Sequence, residues 1–259
     1  MLSLLAARRS VILLVNTGLS SIRLQHAQMQ YASSDPRRRL ERAKRTAFWA
    51  QGLLETFGIA DDVRGEFPRS PFLLVANHRS AIDIGMLLAH APVSLVARAD
   101  LEQWPVFGFA ARSVGTVFVD RSAAASGAAT LRSLVDALRA GQSMAIFPEG
   151  YTFEGDEVRP FQPGVALAAF MAKVPVVPVG LAYESGSRSA YVDMSFAEHV
   201  ARVASSPASR VSMCIGDPML PPSREERATY TERVRLNVQQ LVHEARARVD
   251  SQSSTTGLV

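Results

Sequence analysis

Pro71-Phe72-Leu73-Leu74-Val75-Ala76-Asn77-His78-Arg79-Ser80-Ala81-Ile82-Asp83 is the stretch on which the fold turns. Residues 72–76 form an uninterrupted apolar run, which reads as a strand buried in a sheet. From Ala81 the pattern changes to one that predicts a helix over 81–90. A buried strand turning directly into a helix is the opening unit of an α/β sheet. The turn itself carries His78 and Asp83, with four residues between them. A neutral imidazole can take a proton from a hydroxyl, and a nearby carboxylate can fix its tautomer and stabilise the imidazolium that forms. The same residues also suit a helix start, with Ser80 as N-cap and Asp83 in the first turn, where an acidic side chain complements the dipole. The two readings are compatible, because a histidine just before a helix can lie beside an aspartate of its first turn.

Working outward, short apolar or β-branched runs predict strands over 72–76, 93–97, 116–119, 143–147, 176–181, 190–194 and 211–215. Helical patterns fall between them at 37–57, 81–90, 128–140, 165–173 and 225–249. The last has a strong start signal in Pro221-Pro222, Ser223 and Glu226. This alternation predicts an α/β fold, a mostly parallel or mixed sheet flanked by helices, with an N-terminal amphipathic helical pair. Pro175 and Pro178 predict an edge or bulged strand around them. No internal repeat is evident, and residues 251–259 read as a disordered tail.

The 259 residues suffice for a substantial core in one domain. Residues 1–60 are assigned to the helical pair, 61–250 to the α/β domain and 251–259 to the tail. Cys214 is the only cysteine, so an intrachain disulfide and paired-thiol zinc sites are excluded; it reads as a buried strand thiol. Net charge is +4, and Arg37, Arg38, Arg39, Arg42, Lys44 and Arg45 crowd together with only Glu41 against them. Such a run suits a solvated helix face or an anionic membrane surface. Nucleic acid is disfavoured, since neither a zinc-finger spacing nor an aromatic stacking signature accompanies it. The uncharged stretch 10–22 is short for a spanning helix, which needs about 20 residues, and lacks a clean cleavage site for a signal peptide. An interfacial anchor fits better, joined by Phe48, Trp49, Leu53, Leu54 and Phe57 on the second segment.

Three further blocks follow Asn77-His78 in order: Gly115-Thr116-Val117-Phe118-Val119-Asp120-Arg121, then Ala145-Ile146-Phe147-Pro148-Glu149-Gly150, then Val174-Pro175-Val176-Val177-Pro178-Val179. Together the four resemble the ordered motifs of the glycerolipid acyltransferases, the family that includes 1-acylglycerol-3-phosphate acyltransferase. The connecting text at Val96-Ala97-Arg98-Ala99-Asp100-Leu101 and Trp104-Pro105-Val106-Phe107-Gly108 is similar as well, and the likeness extends from about residue 37 to about 220. It implies acyl transfer from a thioester, acyl-CoA or an acyl carrier protein, to the hydroxyl of a membrane lipid acceptor, with no other cofactor and no metal. His78 would be the general base and Asp83 its orienter, with no acyl-enzyme needed. Glu149 and Gly150 would lie at the acceptor site, and Arg121 would clamp phosphate, for which its fork of donors is suited. Some members dock on the membrane through an N-terminal helix pair, which implies a peripheral or monotopic protein on the cytoplasmic face of the cell membrane.

Departures from the family pattern bear on the acceptor. The third block usually continues into Thr-Arg, where this chain has Tyr151-Thr152, and a lysine common after the phenylalanine is replaced by Gln162-Pro163-Gly164 following Phe161. Arg159 is the candidate substitute. The expected acceptor is 1-acyl-sn-glycerol-3-phosphate, giving phosphatidic acid; the alternatives are another lysolipid, such as a lyso-aminolipid, or a catalytically silent membrane-binding relative. A hydrolase reading through Ser80 lacks a Gly-x-Ser-x-Gly elbow.

Overall fold

A computed structural model describes residues 4–32, 35–69, 71–104, 107–119 and 126–256. Two helices, α1 (Leu4–Met29) and α2 (Pro36–Phe57), precede strands β1 (Ile59–Arg64), β2 (Leu73–Ala76), β3 (Val93–Arg98), β4 (Val117–Val119), β5 (Ser143–Ile146), β6 (Val176–Tyr183) and β7 (Ser209–Ile215). Interleaved with these are α3 (Ile82–His90), α4 (Phe107–Ser113), α5 (Ser126–Arg139), α6 (Gly164–Ala172), α7 (Phe196–Ser205) and α8 (Arg227–Thr256). The strands form one mixed sheet in the order β1-β7-β6-β2-β5-β3-β4. The five from β6 to β4 are mutually parallel, whereas β7 pairs antiparallel to β6 and parallel to β1.

The apolar run of β2 is buried along its length because both sheet faces are covered. Leu74 and Ala76 point into a cluster with Leu54, Met86 and Leu87 of α2 and α3, while Leu73 and Val75 face Val135 and Leu138 of α5 and Tyr230, Val234 and Val238 of α8. Alternation across the strand thus makes two cores from one run. The N-terminal helices are packed on this unit. Ala6 and Leu13 of α1 join the first cluster, Trp49 donates to Thr17 between the two helices, and Arg9 donates to the Ala204 and Ser206 carbonyls at the end of α7. A cation meeting the last carbonyls of a helix is favoured by its dipole.

Three sequence expectations are corrected. β6 is an interior strand despite Pro178. Its ladder with β7 begins at Val179, and Pro178 keeps its carbonyl bond from the Gly216 N–H, so the donor it lacks is missing only at the ladder's end. Residues 190–194 form no strand; the Tyr191 N–H and carbonyl instead bond Arg79 O and Thr152 Oγ1. Helix α8 continues through Thr256, held by Arg210 donating to Gln252 O, so 251–256 are helical and not a disordered tail; residues 257–259 lie outside the described residues. Three elements had not been anticipated. β1 is too polar to signal a strand, α4 is only about two turns long, and α7 starts with a Ser195-Glu198 capping box whose two reciprocal bonds are both made.

Gly180 of β6 lies directly under α8, where a Cβ would fall 2.3 Å from Leu241 C and Val242 N. Backbone cannot yield as a side chain can. Gly180→Ala should therefore lower stability by about 3 kcal/mol through overpacking, read as a reduced urea midpoint.

Candidate active site

Parallel β2, β5 and β6 end at the same edge of the sheet, and the polar loops that follow them converge there. The connection from β2 leads towards β3 on one side, while β6 lies on its other side, which is where open α/β sheets form their crevices. Asn77, just beyond β2, prolongs the β2–β6 pairing with its side chain. Its amide donates to Leu181 O at 2.9 Å and accepts from Leu181 N at 2.8 Å.

His78 and Asp83 meet as the sequence predicts. His78 Nδ1 lies 2.8 Å from Asp83 Oδ2, and the same oxygen accepts the Arg79 N–H at 2.6 Å and the Ser80 N–H at 2.9 Å. The other oxygen, Oδ1, accepts the Tyr183 hydroxyl from β6. Asp83 is fully buried, so four donors compensate one charge removed from water. Acceptance by a carboxylate places the imidazole proton on Nδ1 and leaves the Nε2 lone pair for a hydroxyl. The His78 ring stacks on Phe147 at 4.0 Å between centroids and remains 18 % exposed. Ser80 also performs the capping role, its Oγ accepting the Ile82 N–H at 3.1 Å. Burial, and next the Asp83 charge, push the Tyr183 hydroxyl well above the ordinary phenol range, so it stays a donor.

Glu149, expected at the acceptor site, lies against the histidine loop. Its carboxylate is sealed, accepting the His78 N–H at 2.8 Å, the Arg159 N–H at 2.9 Å and Arg79 Nη1 at 2.9 and 3.2 Å. Arg79 is itself buried and also donates to Gly155 O and Glu157 O, tying the 149–159 loop to the histidine loop. Glu149 frames the site from behind His78. Gly150 closes the Phe147–Gly150 turn with φ +83°, a conformation that glycine adopts without strain. Arg159 uses its backbone here; its guanidinium pairs with Glu157 at 3.0 Å and lies over the Phe153 ring. Thr152 bonds the Tyr191 carbonyl, and Tyr151 is exposed. Arg121, with the end of its block, and Pro105-Val106 lie outside the described residues.

Four site residues carried no role in the sequence reading: Asn77, Arg79, Tyr183 and His199. Asn77 and Arg79 sit within the quoted block but attract notice only once their partners, 104 and 70 positions away, are known. Tyr183 is distant in sequence, at the end of β6. His199 reaches Ser80 Oγ and Ala81 N through Nε2, at 3.3 Å each.

Fold and site together define an α/β protein with a histidine held by a buried aspartate at the carboxyl edge of its sheet. Residues 61–182 match the family model described as Acyltransferase, and this segment is an acyltransferase-family domain. The chain is similar to a lyso-ornithine lipid O-acyltransferase of Pseudomonas aeruginosa, 37 % identical over 55 % of this chain and 55 % of that one. It is also similar to a 1-acyl-sn-glycerol-3-phosphate acyltransferase of Neisseria meningitidis, 32 % identical over 60 % of this chain and 64 % of that one. The matched region thus spans from about half to just under two thirds of these curated relatives. In fold it resembles the 1-acyl-sn-glycerophosphate acyltransferase PlsC of Thermotoga maritima, with a TM-score of 0.72 over 94 % of this chain and 95 % of that one at 22 % identity.

Breaking the Arg79–Glu149 pair from the arginine side leaves a buried carboxylate with two backbone donors among the described residues. Arg79→Leu should cost about 3–5 kcal/mol in denaturant titration, and the double variant with Glu149→Leu should recover much of that loss.

Proposed function

We propose that this chain is an O-acyltransferase that moves a fatty acyl group from a thioester to the free hydroxyl of a lysolipid. The observation that carries this reading is the His78–Asp83 geometry, with Nδ1 fixed by a buried carboxylate and the ring's other edge partly exposed. The acceptor hydroxyl donates to Nε2 and its oxygen attacks the thioester carbonyl as the proton passes to His78. Asp83 stabilises the imidazolium. Collapse of the tetrahedral intermediate expels the thiolate, which takes the proton from His78 and leaves as a thiol, so the base is restored without an acyl-enzyme. Acyl-CoA or an acyl carrier protein would serve as donor.

For the acceptor, the principal reading is 1-acyl-sn-glycerol-3-phosphate, giving phosphatidic acid, with Arg121 as its phosphate clamp. A second reading, a lysolipid without a phosphomonoester such as a lyso-aminolipid, is favoured by the 149–159 loop. Thr152 stands where a cation is expected and is bonded to Tyr191 O, while the Arg159 guanidinium is paired with Glu157. Relatives named for both kinds of acceptor fit this division.

Residues 1–60 would dock the catalytic domain, residues 61–250, on the cytoplasmic face of the membrane as a peripheral or monotopic protein. Leu4, Val11, Val15, Leu19, Ile22 and Met29 recur at helical spacing along α1 and are all exposed, and Phe48 on α2 is 76 % exposed. Among the described residues no helix is long and apolar enough to cross a membrane. An interfacial helix accounts for such a stripe.

The membrane fraction should transfer labelled acyl groups from acyl-CoA to a lysolipid, assayed over a panel of lysophosphatidate, lysophospholipids, lyso-aminolipids and no acceptor. Label appearing only in free fatty acid would mean hydrolysis and sink the reading. His78→Ala should slow transfer by about 10²–10⁴-fold while leaving membrane association intact. Conversely, the combined variant Val15→Ser, Ile22→Ser and Phe48→Ser should shift the protein from vesicles to the supernatant in flotation; unchanged partition would remove the docking role from these helices.

A further inference from the structure

Behind the catalytic loop lies a second histidine that the proposed reaction does not use. His199 is 1 % exposed, and its Nε2 faces Ser80 Oγ and the Ala81 N–H, both at 3.3 Å. Because the Ala81 group can only donate, Nε2 must accept and the ring proton belongs on Nδ1. Nδ1 is buried without a hydrogen-bond partner among the described residues. Such an orphan normally costs a folded protein stability, so the ring's position serves something other than its own satisfaction. What it holds is the peptide at the start of α3. Ser80 N donates to Asp83, Ser80 Oγ caps Ile82 N, and Asp83 bonds the base.

The ring is held by its face as well as by Nε2. It stacks on Tyr191 at 4.7 Å, and Tyr191 N bonds Arg79 O. Helix α7, which carries it, is anchored by the Ser195–Glu198 capping box at one end and by Arg9 at the other. Burial foremost, then the Arg202 charge, push the His199 imidazole down to about 4; the Asp83 charge opposes this and the His78 charge adds to it. His199 is therefore neutral, and an acceptor, at neutral pH.

We propose that His199 is a positioning residue for the acyl transfer, its Nε2 holding Ser80 and Ala81 so that Asp83 stays registered on His78. The proposal rests on His78 being the base. Losing the acceptor would let the Asp83 loop loosen while the substrates still bind. The variants are His199→Phe, which keeps ring volume and stacking without an acceptor, and His199→Gln, whose carbonyl can accept.

The experiment compares kcat and KM for donor and acceptor in the wild type and both variants, with His78→Ala as the reference. In His199→Phe, kcat should fall about tenfold or more with both KM values within twofold. His199→Gln should restore most of kcat. Equal kcat in His199→Phe would overturn the proposal, as would a loss that His199→Gln does not rescue. If wild type transfers no acyl group, it is the acyltransferase reading that fails.

Folding supplies an independent readout. Between about pH 6.5 and 4 the unfolded imidazole binds a proton and the buried one does not, so wild type should lose stability relative to His199→Gln as pH falls through this window, with a constant difference above it. A pH-independent difference would show that the ring is not held as a buried neutral acceptor, and would overturn the proposal equally.

Discussion

A carboxylate buried away from water imposes conditions on everything around it, and Asp83 is such a carboxylate. Left uncompensated it would cost several kcal/mol, so the loop after β2 must aim its donors inward. Arg79 N, Ser80 N and His78 Nδ1 come from that loop, and the fourth donor, Tyr183, comes from β6. This last bond requires β6 beside β2, a neighbourhood that the Asn77–Leu181 bonds also fix. One interaction thus starts a helix, joins two strands distant in sequence and chooses the tautomer of His78. The same oxygen atoms serve the helix start and the imidazole, which is why the capping reading of this stretch and the proposed catalytic one need not compete.

Glu149 repeats the device one strand further along. Its oxygens take the backbone N–H of His78 and the buried guanidinium of Arg79, while Phe147 of the same turn lies flat against the imidazole. His78 is consequently held by its backbone from β5, by its ring nitrogen from α3 and by its ring face from Phe147. Preorganisation of this sort is what a general base needs, since a misplaced lone pair forfeits the hydrogen bond along which the proton moves. The two blocks meet because parallel β2 and β5 deliver their following turns to one edge of the sheet.

What could be read from the chain was governed by how local each signal is. The apolar run 72–76, the Ser223–Glu226 helix start and the His78–Asp83 pair declare themselves within a few residues, and the structure contains them all. β1 escaped because Ile59-Ala60-Asp61-Asp62-Val63-Arg64 sits at the sheet's edge, with Asp62 taken up by Arg248 and Ser212 from elements far along the chain. Pro178 misled because strand position was judged from the missing donor alone, whereas only the ladder's end shows whether that donor is needed. The site shows the same limit. Arg79 looks like any surface arginine until Glu149, Gly155 and Glu157 are brought to it, and the His199 nitrogen that is unpaired among the described residues has no trace in sequence whatever.

The basic run on α2 also changes meaning once its partners are known. Arg37 pairs with Asp35 at the helix start, and Lys44 and Arg45 lie near Glu41. Arg42 turns inward towards Gln142, just before β5, and would meet any Cβ added at Gly115, just before β4. Burial and then the charges of Arg38 and Arg39 lower its proton affinity, as expected for a cation drawn towards the fold. Gln142 and Phe147 bracket β5, so at about 3.3 Å per residue this cation sits roughly 16 Å from the turn that supports His78, at the amino edge of the sheet. Anionic headgroups gathered around Arg42 would therefore meet the opposite edge from the His78 loop. The exposed apolar side chains along α1, together with Phe48, do not depend on this charge, so the proposed docking rests on the apolar stripe and not on the basic run.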